Sequence, residues 1–281
     1  MRNHLSNQLK ISAFIVAHNE ERVIARCLES LVDIVDEIIV IHDGPCADNT
    51  LKIARKFSNN VFEMPINKGI GESHYIFAIK KAANNWILRI DADEYLSDKL
   101  QTNIRKLVQN DDISAYNFIW PIWDGTKYIS KGWPYKIFLF QKDKVGIIDL
   151  FHHPIIVHGI SKNVPLLMHH KPLYNNYTYN NFKEKTLKWC KYQAKDYLEP
   201  IENKASYNVD IRTIAKEVRK KRFLYNFPMI CLIISYLTVV TNLLKEPRLV
   251  SQKGFWLTAL ISGRYSYFVA KEYLLLKKEL K

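Results

Sequence analysis

The chain has 281 residues, a formal net charge of +13 from 41 Lys+Arg against 28 Asp+Glu, and four cysteines. That length can bury a substantial core, while Cys27, Cys46, Cys190 and Cys231, scattered without Cys-x-x-Cys spacing, exclude a disulfide framework or zinc ribbon and fit a reducing cytoplasm. The basic balance invites nucleic acid as a partner, but no recognised module accompanies it and the charge flanks apolar helices, so nucleic acid is set aside.

In chain order, the first eight residues lack an apolar h-region, so no secretory signal is expected. Residues 10–17 read as a buried strand, and His18-Asn19-Glu20-Glu21 opens a helical pattern with Val23, Ile24, Leu28 and Leu31 on one face and Asn19 as its N-cap. A second strand, Glu37 to Ile41, runs into His42-Asp43-Gly44-Pro45, and Asp48-Asn49-Thr50 starts a helix through Phe57. Val61-Phe62 makes a short third strand, and Asn67-Lys68-Gly69-Ile70-Gly71 precedes a helix to about Ala83. A fourth strand, Trp86 to Ile90, ends in two carboxylates spaced two apart, Asp91 and Asp93.

Strand and helix thus alternate four times, the pattern of a parallel α/β sheet, and ligands of such sheets collect at the carboxyl ends of the strands. Paired hard oxygen ligands at that edge suit a divalent cation carrying phosphates, so a bound nucleoside diphosphate is the natural inference. Asp-x-Asp alone is a weak signal, because acidic turns after strands are common. Asp43 can accept a hydrogen bond from a ring N–H, which uracil has and cytosine lacks at the corresponding nitrogen. Glu20 suits a ribose hydroxyl, and equally a helix N-terminus. Asp93 is the first choice for direct metal contact, with Asp91 on ribose or on a metal-bound water.

On these motifs the chain resembles a family 2 glycosyltransferase of the GT-A fold over residues 10–110. Ala17-His18-Asn19-Glu20-Glu21 looks like the family's first nucleotide-binding loop, His42 to Thr50 resembles its base-recognising loop, and Asp91-Ala92-Asp93-Glu94 stands where the family has its metal motif. The resemblance implies an α/β, Rossmann-like nucleotide-diphospho-sugar transferase domain that uses Mn²⁺ or Mg²⁺ and a nucleotide-sugar donor held by Ala17, Asn19, Glu20, Asp43, Lys68, Asp91 and Asp93. Within the family, the bacterial lipopolysaccharide core-type transferases are the most similar. They bring a basic residue and an Asn where this chain has His74 and Tyr75, which leaves Lys68 or Arg89 to supply that positive charge.

Residues 111–173 are expected to form the acceptor half of a 1–173 domain, with strands over Ser114–Trp120 and Tyr135–Phe140. Trp120, Trp123, Trp133 and Tyr135 suit either a plain core or the C–H faces of a sugar, and Gly132-Trp133-Pro134 is a candidate lip of the acceptor site. Inverting transfer needs a general base. Where the resemblance places Val-His-Glu, this chain has Phe151-His152-His153, so the base is either Asp149 or His153 itself. The pairs His152-His153 and His169-His170 lack helical zinc-ligand spacing. His169 matches a histidine that the family places after this region, implying contact with the diphosphate or the metal.

The remainder, 174–281, reads as a helical, basic extension, beginning with an amphipathic helix from Tyr179 to Tyr197. Residues 211–281 hold 14 Lys+Arg against 4 Asp+Glu, so +10 of the +13 lies there. Arg219-Lys220-Lys221-Arg222 immediately precedes the uncharged run Phe223–Leu244, which is long enough to span a membrane but diluted by Pro228, Ser235, Thr238, Thr241 and Asn242. A second apolar run, Phe255 to Ala270, is interrupted by Arg264. A helix lying on an anionic membrane surface, peripheral or partly inserted at the cytoplasmic face of the inner membrane, accounts for both runs, against a helical subdomain packed on the catalytic core. The sequence-level reading is an inverting transfer from a nucleotide-diphosphate sugar, favouring UDP, to a cell-envelope glycolipid. The alternatives are a polyprenyl phosphate acceptor and an inactive sugar-binding scaffold.

Overall fold

The computed structural model describes residues 9–66, 74–175 and 177–280. The chain divides into two compact units: one comprises the chain to Trp120 with Trp133–Gly146 and Ile155–Pro172, the other Pro121–Gly132, Ile147–Pro154 and the chain from Leu173. Two segments that lie before residue 173 in the chain thus group with the C-terminal unit.

The first unit is built on β1 (Ile11–Ala17), α1 (Ile24–Glu29), β2 (Glu37–Asp43), α2 (Thr50–Ala54), β3 (Asn60–Met64), α3 (Tyr75–Lys81), β4 (Trp86–Asp91), β5 (Glu94–Leu96) and α4 (Asp98–Leu107). It continues with β6 (Ile113–Ile119), β7 (Tyr135–Gln141), the start of β8 (Val145–Ile148), β9 (Ile156–Val157) and β10 (Ile160–His170). Among the described residues the sheet has eight strands in the order β3-β2-β1-β4-β7-β6-β10-β5. β3, β2, β1 and β4 run parallel, β7 runs antiparallel between β4 and β6, and β5 lies antiparallel on the end of β10. This is the parallel α/β sheet that the alternation predicts, extended by the mixed strands β7, β6, β10 and β5.

Both faces of the sheet are covered, which is why β1 is apolar except at Ser12, whose hydroxyl bonds Glu37 and Asn84. Ile11, Ala13, Ile15 and Ala17 pack with Ile24, Cys27, Leu28 and Leu31 of the α1 region and with Leu100 and Ile104 of α4, while Phe14, pointing the other way, meets Tyr75 of α3 at 5.2 Å. The apolar face expected over Val23, Ile24, Leu28 and Leu31 is fully buried. Its N-cap is not Asn19, however: the helix starts five residues later at Ile24, and Asn19 sits at φ +54. Asn adopts this left-handed conformation more readily than most residues because its short amide bonds locally. α2 also stops early, at Ala54.

The second unit is mainly helical: α5 (Tyr179–Asn181) passes through a π turn over 182–186 into α6 (Leu187–Leu198), and α7 (Ile211–Leu224), α8 (Pro228–Lys245) and α9 (Lys253–Glu279) follow. Ile147 and Ile148 of β8 pair with the short β11 (Ser206–Tyr207). The uncharged run read as one segment is broken at Tyr225–Phe227, and Pro228 begins α8 at a position where a missing N–H costs nothing. α8 packs along α9 at Gly263, where a Cβ would come within 3.0 Å of the Tyr236 ring. Deep in this unit Lys204 lies between Asp196 (3.1 Å) and Glu199, and Asp196 also accepts from the Phe151 N–H at 2.9 Å. The other face of α8 has no cover: Met229, Ile233, Leu237, Val240 and Leu244 are all exposed. α8 is 18 residues long and apolar enough to cross a membrane, yet only 6% of it is buried.

Candidate active site

The parallel order β2-β1-β4 brings three loops to one edge. Ala17 at the end of β1 is in register with His42 of β2, and Val16 is in register with Asp91 at the end of β4. The carboxyl ends of these strands therefore form one row that holds Ala17, Asp43 and Asp91.

Asn19 ties the first two loops together. Its N–H donates to His42 Nε2 at 3.1 Å, and its side-chain oxygen accepts from the Ala47 N–H at 2.8 Å. His42 Nδ1 lies 2.7 Å from the Gly44 carbonyl, to which it can only donate, so the imidazole is neutral with its proton on Nδ1. Glu20 donates its N–H to Thr50 Oγ1 at 2.6 Å, and its carbonyl accepts from Val23 and Ile24 at 3.0 Å, so its backbone closes the entry to α1. Gly44 has φ +83, and a side chain there would press on Ile66. His42, Cys46 and Asp48 place possible metal ligands within 4.8 Å of one another, but both nitrogens of His42 are engaged. Burial works against the charge on Asp48, and hydrogen bonds from Thr50 and from the Glu21 N–H outweigh it, lowering its pKa.

Asp43 is 2% exposed and accepts from His74 Nε2 at 2.8 Å. His74 therefore positions the proposed base-reading carboxylate, while Tyr75 belongs to the core. Arg89 is held by the Tyr75 hydroxyl at 3.4 Å and by the Ile137 carbonyl at 3.1 Å. Lys68 lies outside the described residues, as do Gly69 and Gly71.

The acid cluster carries partners that the sequence reading did not anticipate. Lys136 of β7 reaches Asp91 Oδ2 at 2.9 Å and Glu94 Oε1 at 2.8 Å. Glu94 is 1% exposed and wholly committed: Oε1 also accepts from Trp120 Nε1 at 2.6 Å, and Oε2 accepts from the Asp91 N–H at 2.8 Å. Burial, then the neighbouring Asp91 charge, pushes the Glu94 pKa up. Burial also disfavours charge on Asp91, but Lys136 and then Arg89 outweigh it and hold its pKa below the usual carboxylate range. The two acids in turn overcome the cost of burying Lys136 and raise its pKa. A single lysine inside the otherwise apolar run Tyr135–Phe140 was the available signal.

Asp93 stands apart from this lysine, its side chain 26% exposed and its Oδ2 3.5 Å from His170 Nε2. His170 is in register with Glu94 and stacks on Trp120 at 4.2 Å, which fixes the ring plane, while its Nδ1 is buried without a hydrogen-bond partner. His169, the histidine expected at the metal, points to the opposite face of β10 and stacks on Tyr95 at 4.5 Å. Burial, then Lys171 and Arg26, lowers its pKa. Successive strand residues face opposite ways, so it is His170 that lies beside Asp93. A carboxylate and an imidazole separated by a distance long for a hydrogen bond form a donor set that fits a divalent cation; Asp91, bound by Lys136, is better placed for an outer contact.

Asp149 and His153 both lie in the second unit. Asp149 is half-buried beside β11, its N–H donating to the Ala205 carbonyl at 2.8 Å. His153 Nδ1 is 3.0 Å from the Pro154 carbonyl, and Nε2 lies 3.5 Å from Glu217, as long as the Asp93–His170 separation.

With this geometry in hand, comparison with known proteins is decisive at the family level. The profile of glycosyl transferase family 2 matches residues 12–161, more than half of the chain. The chain belongs to glycosyltransferase family 2. An uncharacterized glycosyltransferase of Rickettsia felis is 40% identical over 107 residues, covering 38% of this chain and 37% of that protein. A lipopolysaccharide core biosynthesis glycosyltransferase of Rhizobium meliloti is 29% identical over 110 residues, covering 37% of this chain and 39% of its own length. This family member therefore matches little more than a third of the length of these relatives. Among solved structures, a glucosyl-3-phosphoglycerate synthase from Mycobacterium tuberculosis, in complex with Mg²⁺ and UDP, aligns at 21% identity and a TM-score of 0.34, covering 40% of this chain and 44% of that one.

Proposed function

We propose that this chain is a cation-dependent, inverting glycosyltransferase that moves a sugar from a uridine diphosphate donor to a cell-envelope glycolipid at the cytoplasmic face of a membrane. The observation that carries the reading is the single row of strand ends on which Ala17, Asp43 and Asp91 meet, with Asp93 and His170 beside it. Asp43, held by His74, presents a carboxylate of the kind that accepts from a ring N–H, which favours uracil. Asn19 and Glu20 shape the loop beside the nucleoside, and Lys68 is retained as a phosphate contact from the sequence. Asp93 and His170 would hold a Mn²⁺ or Mg²⁺ ion, whose chemistry when bound is to offset charge on the departing diphosphate. Asp91, kept ionised by Lys136, would serve ribose or an ion-bound water.

Transfer forms a bond from an acceptor hydroxyl oxygen to the anomeric carbon as the bond to the diphosphate breaks. The hydroxyl proton goes to a carboxylate or imidazole. Asp149 is the proposed base, with His153, whose Nδ1 lies 3.0 Å from the Pro154 carbonyl, as the second candidate. The glycolipid acceptor is supported by the lipopolysaccharide core relative, and a polyprenyl phosphate would use the same donor chemistry. Membrane attachment is supported by the uncovered face of α8 beside Arg219 and Lys220.

A thermal-shift screen of nucleotide sugars with and without Mn²⁺ tests the donor half. Saturating UDP-sugar at about a hundred times its Kd is expected to stabilise the fold by about 2.7 kcal/mol, only with the cation present and not in Asp43→Ala. Equal stabilisation by every nucleotide, or none by any, overturns the reading. An inactive scaffold would bind the donor and release no labelled sugar, with or without acceptor.

A further inference from the structure

Within the helical unit a cavity of about 340 Å³ opens among α6, α7, α8 and α9, on the face of α8 that the catalytic reading does not use. Its lining is of two kinds. Leu224, Ile234 and Val269 make an apolar wall, and Ile234 is itself 43% exposed, so the wall continues onto the uncovered face of α8. Opposite lie the hydroxyls of Ser235, Ser262 and Ser266, with the first two 3.3 Å apart across the α8–α9 seam. Deeper in, Tyr265 donates to Gln193 at 2.6 Å, and Gln193 contacts the Tyr225 hydroxyl at 3.4 Å, giving the cavity a fixed polar floor.

Lys221 stands at the cavity. Its ammonium lies 5.4 Å from the centre of the Tyr197 ring, and no described carboxylate pairs with it; Glu217, one turn earlier on α7, is directed to His153 at 3.5 Å. Burial lowers the pKa of this lysine, with Glu217 opposing the shift. A half-buried cation in a cavity that also holds serine hydroxyls calls for an anion with several oxygens, and the apolar wall calls for a hydrocarbon attached to it.

We propose that this cavity takes the phosphate end of a membrane lipid, with Lys221 on the phosphate, the serine hydroxyls on its oxygens, and the acyl chain leaving along Ile234 and the exposed face of α8. The site deepens the membrane reading made above, on which it rests, by naming the lipid chemistry that the helical unit recognises.

Calorimetric titration of the full chain with dioctanoyl phosphatidic acid, a lipid soluble without vesicles, tests it. Binding is expected, weakened roughly tenfold or more in Lys221→Met and in Ser262→Leu, the loss of one charge-assisted hydrogen bond or of the space itself. Lys221→Arg is expected to retain it, as is Lys216→Met, which removes the same charge from an exposed position of the same helix. Equal loss in Lys216→Met and Lys221→Met, equal binding of dioctanoyl phosphatidylcholine, or displacement by equimolar inorganic phosphate overturns the proposal. Co-sedimentation with phosphatidylcholine–phosphatidylglycerol vesicles separates the two readings. Binding of the soluble lipid without sedimentation supports the cavity and defeats membrane attachment, and sedimentation without soluble-lipid binding does the reverse.

Discussion

Each unit of this chain places one lysine between two carboxylates, and the two arrangements end differently. In the helical unit Lys204 is matched by Asp196 and Glu199, and Asp196 takes up its remaining capacity on the Phe151 N–H. Lys204 and Asp196 are 4% and 3% exposed at their side chains, so that pair is closed, while Glu199 reaches solvent at 42%. At the sheet edge Lys136 is matched by Asp91 and Glu94, but Asp93 adds a third acid whose nearest cationic candidate is His170. A closed, balanced group holds helices together; a surplus of carboxylate at the ends of parallel strands is a request for a cation. The comparison separates a structural ion network from a candidate ligand site without appeal to motif.

The sharpest way to break the comparison is Asp93→Asn. Turnover of a UDP-sugar should fall about a thousandfold, on the scale of losing a key electrostatic group, while the melting temperature stays put. Full activity in that variant would make the surplus acid incidental. Lys204→Met is expected to cost the fold about 3 kcal/mol by stranding buried Asp196, seen in urea unfolding, with donor binding of the remaining folded protein unchanged. This contribution has a definite pH sign. Burial alone would lower the Lys204 pKa, but Glu199 and Asp196 raise it above its ordinary 10.5, so the stabilisation is complete below that value and is lost as pH rises through the folded value. The gap between wild type and Lys204→Met should therefore hold at neutral pH and narrow in strong alkali.

Lys136→Met should cost less, about 2 kcal/mol, because the Lys136 side chain is 25% exposed against 4% for Lys204, so water already reaches the group it leaves. A penalty as large as that of Lys204→Met would show that the sheet-edge group is equally closed. The smallest effect sharpens the assignment of histidines: His170→Ala should raise the Mn²⁺ concentration for half-maximal activity about tenfold, and His169→Ala should leave it unchanged. The opposite result would return the metal contact to His169.

These two histidines also show where the sequence stops being legible. β1, β2, β4, β6 and β7 were readable because both faces of a covered sheet demand apolar side chains, and Asp43 and Asp91 were placed by the strands they end. β10 is different. It is eleven residues long, largely exposed over its first half, and its register slips twice, between Ile160 and Ser161 and between Val164 and Leu167. Each slip changes which residues share a face, so no count along the chain tells His169 from His170. Lys136 was hidden for another reason: its two acids come from β4 and β5, and pairing across strands leaves no mark in local composition. Asn19 looked like a helix cap because it precedes an apolar periodicity, whereas its side chain and N–H are spent on Ala47 and His42.

The strand order bears on how the molecule is made. Asp91, Asp93 and Glu94 emerge within four residues of one another, but Lys136 follows 45 residues after Asp91, and β10 with His170 joins later still. A nascent chain that has paired only β1 to β4 thus carries three crowded negative charges offset by Arg89 of β4 but not yet by Lys136. Dissolved salt is expected to speed early collapse by screening that repulsion, and the arrival of β7 removes the need for it.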